Sequence, residues 1–346
     1  MNTSRTAWRS FVIDPDIPFE EKADVVFRHQ YRHLPVYRNF CEGLGLDSSL
    51  RDAISPATPA GGASVRPEEY PLMPIQVFRD TQVRADYVGK PEMRFRSSGT
   101  TGSRRSTHHI ADSKLYLESA WHGFTRFYPA DGFAILAWLP GYMDNPESSL
   151  VAMIDHFVRQ DDCGLSRFLP LDRTPGQEAW EQVTAAGKRV MLFGAAFGLL
   201  DLIDAGAPNL PAGSVIVETG GMKTRRRELS KQELRKQLAA GFGLPADAVH
   251  SEYGMAEMCS QAWDPGTGWF RTPPWLRISI RDAENPLQTV PAGEQGLIGI
   301  IDLANVHSLS FFLTQDMGIA RQDGTFQVLG RRDHAELRGC NFLMED

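Results

Sequence analysis

The chain has 346 residues, 42% of them hydrophobic and 23% charged, with a formal net charge of −7. These are the proportions of a globular enzyme with an extensive core, and the acidic balance argues against nucleic acid as a partner, which calls for a basic face. No apolar run is long enough to span a bilayer and the start MNTSRTAWRS has no signal-peptide core, so a cytoplasmic location is expected. The four cysteines, Cys41, Cys163, Cys259 and Cys340, form no CxxC pair and point to neither a zinc site nor a disulfide framework.

Apolar residues at helical spacing over 18–45 predict helix, with Pro35 dividing it in two. Residues 57–71, rich in proline, glycine and alanine, read as a loop. A strand is expected at 81–87, and Met93 and Phe95 start another. Then come Ser97-Ser98-Gly99-Thr100-Thr101-Gly102-Ser103, seven positions of hydroxyls and glycines alone. Hydroxyls and backbone N–H groups are what a phosphate binds, and glycine lets several N–H groups turn toward one anion. Arg104 and Arg105 can add charge-assisted hydrogen bonds to the same oxygens. A polar surface loop has a similar composition, but the strand before this run and the helix after it favour phosphate. The run is not a Walker A loop, because no Lys-Ser or Lys-Thr pair follows a glycine at the required spacing. His108 and His109 would face opposite sides of an extended strand, which argues against a paired metal site.

Asp112 or Ser113 is expected to cap a helix with Tyr116, Ala120, Gly123 or Phe124, and Phe127 on its apolar face. Residues 133–139 (FAILAWL) read as a strand buried on both faces. A helix over 148–160, a strand over 189–193, a helix over 195–205 and a strand over 214–219 follow. Ser230 opens the next helix with capping-box spacing to Glu233. This alternation predicts an α/β fold, largely parallel sheet covered by helices. Beyond Trp269 short strands at 276–281, 296–303 and 326–329 predict a smaller antiparallel β unit near the C-terminus. Cys41, Cys163 and Cys259 are expected in the core.

Four further stretches carry candidate chemistry. Thr219-Gly220-Gly221-Met222-Lys223 falls at the carboxyl end of a buried strand, where open α/β sheets bind ligands; a plain strand-to-loop turn is the equal alternative. Ser251-Glu252-Tyr253-Gly254-Met255-Ala256-Glu257 offers a ring that can stack on a base and carboxylates that can hold Mg2+, or a structural segment. Thr314-Gln315-Asp316 and Gly330-Arg331-Arg332-Asp333 are unspecific in isolation.

Their order is specific. A Ser/Thr/Gly loop, a GG turn, YGxxE, TxD and GRxD in succession resemble the adenylate-forming superfamily of acyl-CoA synthetases. Within it, the stretches ADVVFRHQYRHLPVYRNFC, LPGYMDNPESSLVAMIDHFV, VETGGMKTRRRELSKQEL, SEYGMAEMCSQAW and ELRGC are similar to LuxE-type acyl-protein synthetases. The resemblance implies one large adenylate-forming domain over 1–346. Its parts would be a helical region over 1–70, an α/β nucleotide-binding core over 71–268, a β-rich part over 269–332 and a hinge-like tail over 333–346. It implies ATP and Mg2+ as cofactors, with Ser97, Ser98, Gly99, Thr100, Thr101, Gly102 and Ser103 around the phosphates. Thr100 and Thr101 would be the hydroxyl ligands, Gly220 and Gly221 would line the adenine site, and Tyr253 would stack on the ring. Glu257 would bind Mg2+, Asp316 the ribose hydroxyls with Arg331 assisting, and Asp333 would be the hinge. The activity implied is activation of a carboxylic, fatty acid as acyl-adenylate. Transfer to a thiol would follow: Cys340, a partner protein's cysteine, or a carrier's phosphopantetheine. Arg338 would favour the Cys340 thiolate.

Two departures stand out. The threonine of the usual YGxTE is Ala256 here, one hydrogen bond to a charged group fewer, worth roughly 1.5–3 kcal/mol. The sequence also runs only thirteen residues past Asp333, so the family's adenylating lysine domain is absent from it, as in LuxE-type proteins. Both keep two other readings open, an acyltransferase that uses a pre-activated acyl group and a silent binding partner with this fold.

Overall fold

The computed structural model describes residues 5–45, 65–97, 104–142, 145–220 and 229–332. In chain order the strands are β1 (Met73–Pro74), β2 (Met93–Arg96), β3 (Thr107–Ile110), β4 (Phe133–Trp138), β5 (Arg167–Phe168), β6 (Arg189–Ala195), β7 (Val215–Thr219), β8 (Val249–Tyr253) and β9 (Ala262–Asp264). They continue with β10 (Leu276–Arg281), β11 (Gln295–Asp302), β12 (Phe311–Ala320) and β13 (Phe326–Arg331). One sheet runs β5-β4-β6-β7-β8-β9 and is parallel except where β9 turns back on β8. The other runs β1-β12-β11-β10 with β13 also paired to β12, over Asp316–Ala320, and is antiparallel apart from the β1–β12 pair. β2 and β3 form a separate hairpin.

β4 shows why the parallel sheet holds. All six of its residues are buried, as the FAILAWL run requires. Ile135 and Ala137 join the core between sheet and helices on one side, while Ala134, Leu136 and Trp138 join a second core on the other. Period-two alternation therefore feeds two cores from one strand. Truncating Leu136 to alanine at such a position costs about 2–5 kcal/mol.

The helix Ser113–Thr125 is capped by Asp112, whose side chain accepts from the Leu115 N–H. Its Leu115, Tyr116, Ala120 and Phe124 are buried, but Phe127 lies past the helix end and is half-buried. Ser148 and Ser230 cap the helices Ser149–Arg159 and Lys231–Gly241 through side-chain oxygens. The break at Pro35 is where expected, between Phe19–His33 and Pro35–Gly43. The helix Arg5–Ile13 falls in the helical region expected over 1–70, whereas sequence reading did not anticipate the helix Gln177–Ala185.

Two expectations fail for physical reasons. Residues 81–87 are not a strand, although Val83 and Ala85 are buried and their neighbours less so. Their backbone groups pair with loops instead of a ladder. Ala85 N–H donates to His307 C=O (3.0 Å), Asp86 N–H to His33 C=O (2.7 Å), and Ser308 Oγ to Val83 C=O (3.0 Å). Cys163 is exposed, in a turn where its N–H donates to Asp161 Oδ1, while Cys41 and Cys259 are buried as expected. Of the 57–71 loop, residues 57–64 lie outside the described residues.

The extended 81–87 segment also brings Tyr87 between two histidines. Its hydroxyl lies 2.8 Å from His29 Nε2 and 2.7 Å from His307 Nδ1. With one proton to give, the hydroxyl donates to one ring and accepts from the other, so the ring that accepts presents an unprotonated nitrogen there. Burial, with the nearby His33, His307 and Arg32 charges, pushes His29 down to about 3; burial pushes His307 down to about 4. These folded values lie below the ordinary 6.5, so their stabilisation is complete above about pH 6.5 and is lost as pH falls toward the folded values. Thermal melts are expected to lose on the order of 1–2 kcal/mol per histidine between about pH 7 and pH 5. The loss should be smaller in His307→Gln, and an equal pH slope in wild type and variant would contradict it.

Candidate functional site

β4, β6, β7 and β8 run in parallel, so their carboxyl ends share one edge, the place where open α/β sheets bind ligands. β7 leaves that edge through Gly220, whose φ of +77° is a left-handed conformation suited to glycine. A Cβ built on Gly220 would lie 3.5 Å from Tyr142 Oη, so tyrosine and glycine backbone face each other there. Beside it, Thr219 Oγ1 donates to Glu252 Oε2 on β8. Burial, reinforced by nearby Glu218, pushes the Glu252 carboxyl up to about 7 against the Thr219 hydrogen bond. Glu218 Oε1 takes Lys231 Nζ (2.8 Å) and Ser251 Oγ (2.5 Å).

Alternation along β8 turns Tyr253 the other way. Its ring packs against Phe270 and Phe326 at 5.9 and 5.8 Å between centroids, and only 8% of the residue is exposed. Its hydroxyl donates to Asp316 Oδ2 (2.8 Å), and Arg331 Nε reaches Asp316 Oδ1 (3.3 Å). Asp316 and Arg331 stand opposite each other in the β12–β13 register. Burial, then the Asp316 carboxylate, raises the Tyr253 hydroxyl well above its ordinary range.

The chain after β8 is gripped from the hairpin. Ser106 Oγ donates to Glu257 Oε1, and His108 Nδ1 donates to Ala256 C=O at 2.9 Å. Asn305 Nδ2 donates to Glu257 C=O at 2.8 Å. Ser97 and Ser106 close the two arms of the hairpin, with Ser97 N–H on Ser106 C=O (3.2 Å) and Ser106 N–H on Ser97 Oγ (3.1 Å). The segment that contains the Ser/Thr/Gly run is therefore bracketed by the paired Ser97 and Ser106, the second of which is bonded to Glu257.

Among the expected site residues, Ser97, Tyr253, Glu257, Asp316 and Arg331 are linked through the single segment 252–257, and Gly220 follows Thr219, which bonds to Glu252. Ser98, Gly99, Thr100, Thr101, Gly102, Ser103, Gly221 and Cys340 lie outside the described residues, as do Lys223, Asp333 and Arg338. Among the described residues no three His, Cys, Asp or Glu side chains gather as a metal cage. A nucleotide-borne Mg2+ needs no such cage, because it keeps waters and takes one or two carboxylates plus phosphate oxygens. The buried Glu257 carboxylate, with the Ser106 hydroxyl on one oxygen, fits that requirement. Sequence reading missed Thr219, Ser106 and Asn305 as partners. The one usable signal was alternation, which puts Ser106, the residue just before β3, on the same side as His108.

Comparison with solved structures defines the class. The fold is that of adenylate-forming ligases. It matches 2-hydroxyisobutyryl-CoA ligase, crystallised with 2-HIB-AMP and CoA, at TM-score 0.58 and 15% identity over 91% of this chain and 74% of that one. It also matches ATP-bound MatB from Rhodopseudomonas palustris at TM-score 0.51 and 16% identity over 70% of this chain, and spans about half of MatB, 49%. Within that class the chain belongs to the acyl-protein synthetase family LuxE, which matches residues 170–346. The long-chain-fatty-acid–luciferin-component ligase of Vibrio harveyi is 21% identical over 92% of this chain and 85% of its own length. No helix among the described residues is long and apolar enough to cross a membrane.

The Glu252 carboxyl sits in the folded protein above its ordinary 4.5. Its stabilising contribution is thus complete below about 4.5 and is lost as pH rises through about 7. Glu252→Gln keeps an acceptor for Thr219 without the charge, so denaturant titrations should find it more stable than wild type near pH 8 and no better near pH 5. A variant less stable than wild type at both values would contradict the assignment.

Proposed function

We propose that the chain activates a carboxylic acid, a fatty acid by analogy with the Vibrio harveyi relative, as its acyl-adenylate and passes the acyl group to a protein thiol. The observation that carries this reading is the linkage of the described parts of five ordered motifs through residues 252–257 at the carboxyl edge of a parallel sheet. In the reaction a carboxylate oxygen bonds to the α-phosphorus of ATP, the α–β phosphoanhydride bond breaks, and pyrophosphate leaves with the bonding pair. A thiolate then attacks the acyl carbon, and AMP departs.

Each residue has a role set by its place. Ser97–Ser103, with Thr100 and Thr101 foremost, hold the phosphates, and Gly220 and Gly221 admit the flat purine to the backbone. Tyr253 offers its ring to that purine, while Asp316, steadied by Arg331, accepts from the ribose hydroxyls. Glu257 holds Mg2+, which when bound neutralises charge on the departing phosphates. The acceptor is Cys340, a partner's cysteine or a carrier's phosphopantetheine.

ATP–pyrophosphate exchange with a panel of carboxylic acids tests the first half. Exchange should depend on one class of acid, and Thr100→Ala with Thr101→Ala should slow it roughly tenfold or more, since hydrogen bonds to charged groups are lost. No exchange with any acid would overturn the reading. Ala256→Thr should speed exchange without altering acid preference if the absent hydroxyl limits adenylation. For the second half, Cys340→Ser should retain exchange but lose hydroxylamine-sensitive labelling by radioactive acid. A variant that still labels would place the acceptor elsewhere.

A further inference from the structure

We propose that Ser106 and His108 are positioning residues which fix the Glu257 carboxylate where it meets a magnesium-bound nucleotide, an inference that rests on the nucleotide reading above. Neither residue belongs to the ordered motifs. They stand two positions apart and on one face, His108 within β3 and Ser106 in the residue just before it. From that face each bonds to one of two consecutive residues: Ser106 Oγ to the Glu257 carboxylate and His108 Nδ1 to the Ala256 carbonyl.

The geometry of the imidazole is informative. A carbonyl only accepts, so Nδ1 carries the proton and Nε2 is bare. Nε2 is buried without a hydrogen-bond partner among the described residues, and the ring stands edge-on to Phe78 at 5.2 Å. A buried acceptor with no partner costs free energy, so Nδ1 is the atom through which this residue acts. Burial keeps the ring neutral, with its pKa pushed down to about 4, so the donor at Nδ1 is unchanged across the neutral range. On the far side Asn305 holds the Glu257 carbonyl. The held carbonyls belong to the two peptides that flank the Glu257 Cα, so both peptide planes are fixed and the Glu257 side chain leaves the backbone in one direction. Ser106 then fixes where it ends. Because Ser106 also pairs with Ser97 at the mouth of the loop, phosphate loop and carboxylate are set in one frame.

Calorimetric titration of the full chain with ATP, in the presence of Mg2+ and in EDTA, tests this, with thermal midpoints recorded alongside. The readout is the gain in affinity that Mg2+ confers. His108→Asn places an amide N–H where Nδ1 stands, whereas His108→Gln carries its amide to the Nε2 position. The gain is expected to fall at least about fivefold in His108→Gln and in Ser106→Ala, and to be restored to within about twofold in His108→Asn. Equal loss in both histidine variants overturns the proposal, as does no loss in either. Retention by the glutamine and not the asparagine overturns it too, by making Nε2 the working atom. If the histidine variants do not fold, Ser106→Ala decides alone, and an unchanged Mg2+ gain there overturns the proposal. A wild-type protein that binds no ATP defeats the nucleotide reading itself, an outcome distinct from variants that bind like wild type.

Discussion

Asp302 lies fully buried at the end of β11 and accepts from the Cys259 and Ser260 N–H groups, the Ser260 hydroxyl and the Ala304 N–H. A carboxylate withdrawn this far from water is costly unless donors surround it. Here three of the four donors come from the chain just after Glu257, and burial still pushes the acid up to about 6. The contact bends the backbone that leaves β8 back across the end of β11 and so joins the two sheets at the site. The Ser260 hydroxyl is also 3.0 Å from Ser119 Oγ, which accepts from Trp275 Nε1 (2.8 Å), tying in the helix between the sheets. The direction in which Glu257 departs thus depends on a polar contact one turn further on.

The last two residues of β8 divide the labour between the faces of one strand. Tyr253 belongs to an aromatic cluster with Phe270 and Phe326 and to the Asp316–Arg331 pair of the antiparallel sheet. Glu252 belongs to the opposite side with Thr219 and takes on a pKa near neutrality there. Period-two geometry alone produces the separation. It gives a strand end one face in an aromatic and ion-paired cluster and another that carries a titratable acid.

How legible this was in the amino acids depended on the range of each interaction. β4 and β7 were readable because strands buried on both faces are written as continuous apolar runs, and the helix caps at Asp112, Ser148 and Ser230 because capping is local. β12 was not anticipated: its buried apolar start, Phe311–Leu313, gives way to Gln315, Asp316 and Gly318, which break any pattern. The 81–87 segment has a strand's alternation without a strand's partner. The Ser97–Ser103 run was legible from its phosphate-suited chemistry, while the other motif residues were named through their order along the chain. The contacts that join them were not readable in that way, since Ser106 and Glu257 are 151 positions apart and His108 and Ala256 are 148.

The strand order has a consequence for how far this chain can be divided. β4 lies between β5 and β6, and β1 lends its two residues to β12, far along the sequence. The part that begins near residue 170 would carry β6 to β13 yet leave β6 with an open, apolar edge and β12 without its parallel neighbour. Such an edge recruits other chains. The stretch that carries the family signature is thus a segment of sequence and not a unit of folding. Shuffling of modules would have to move the N-terminal half with it, and split halves would be expected to find each other before either was soluble alone.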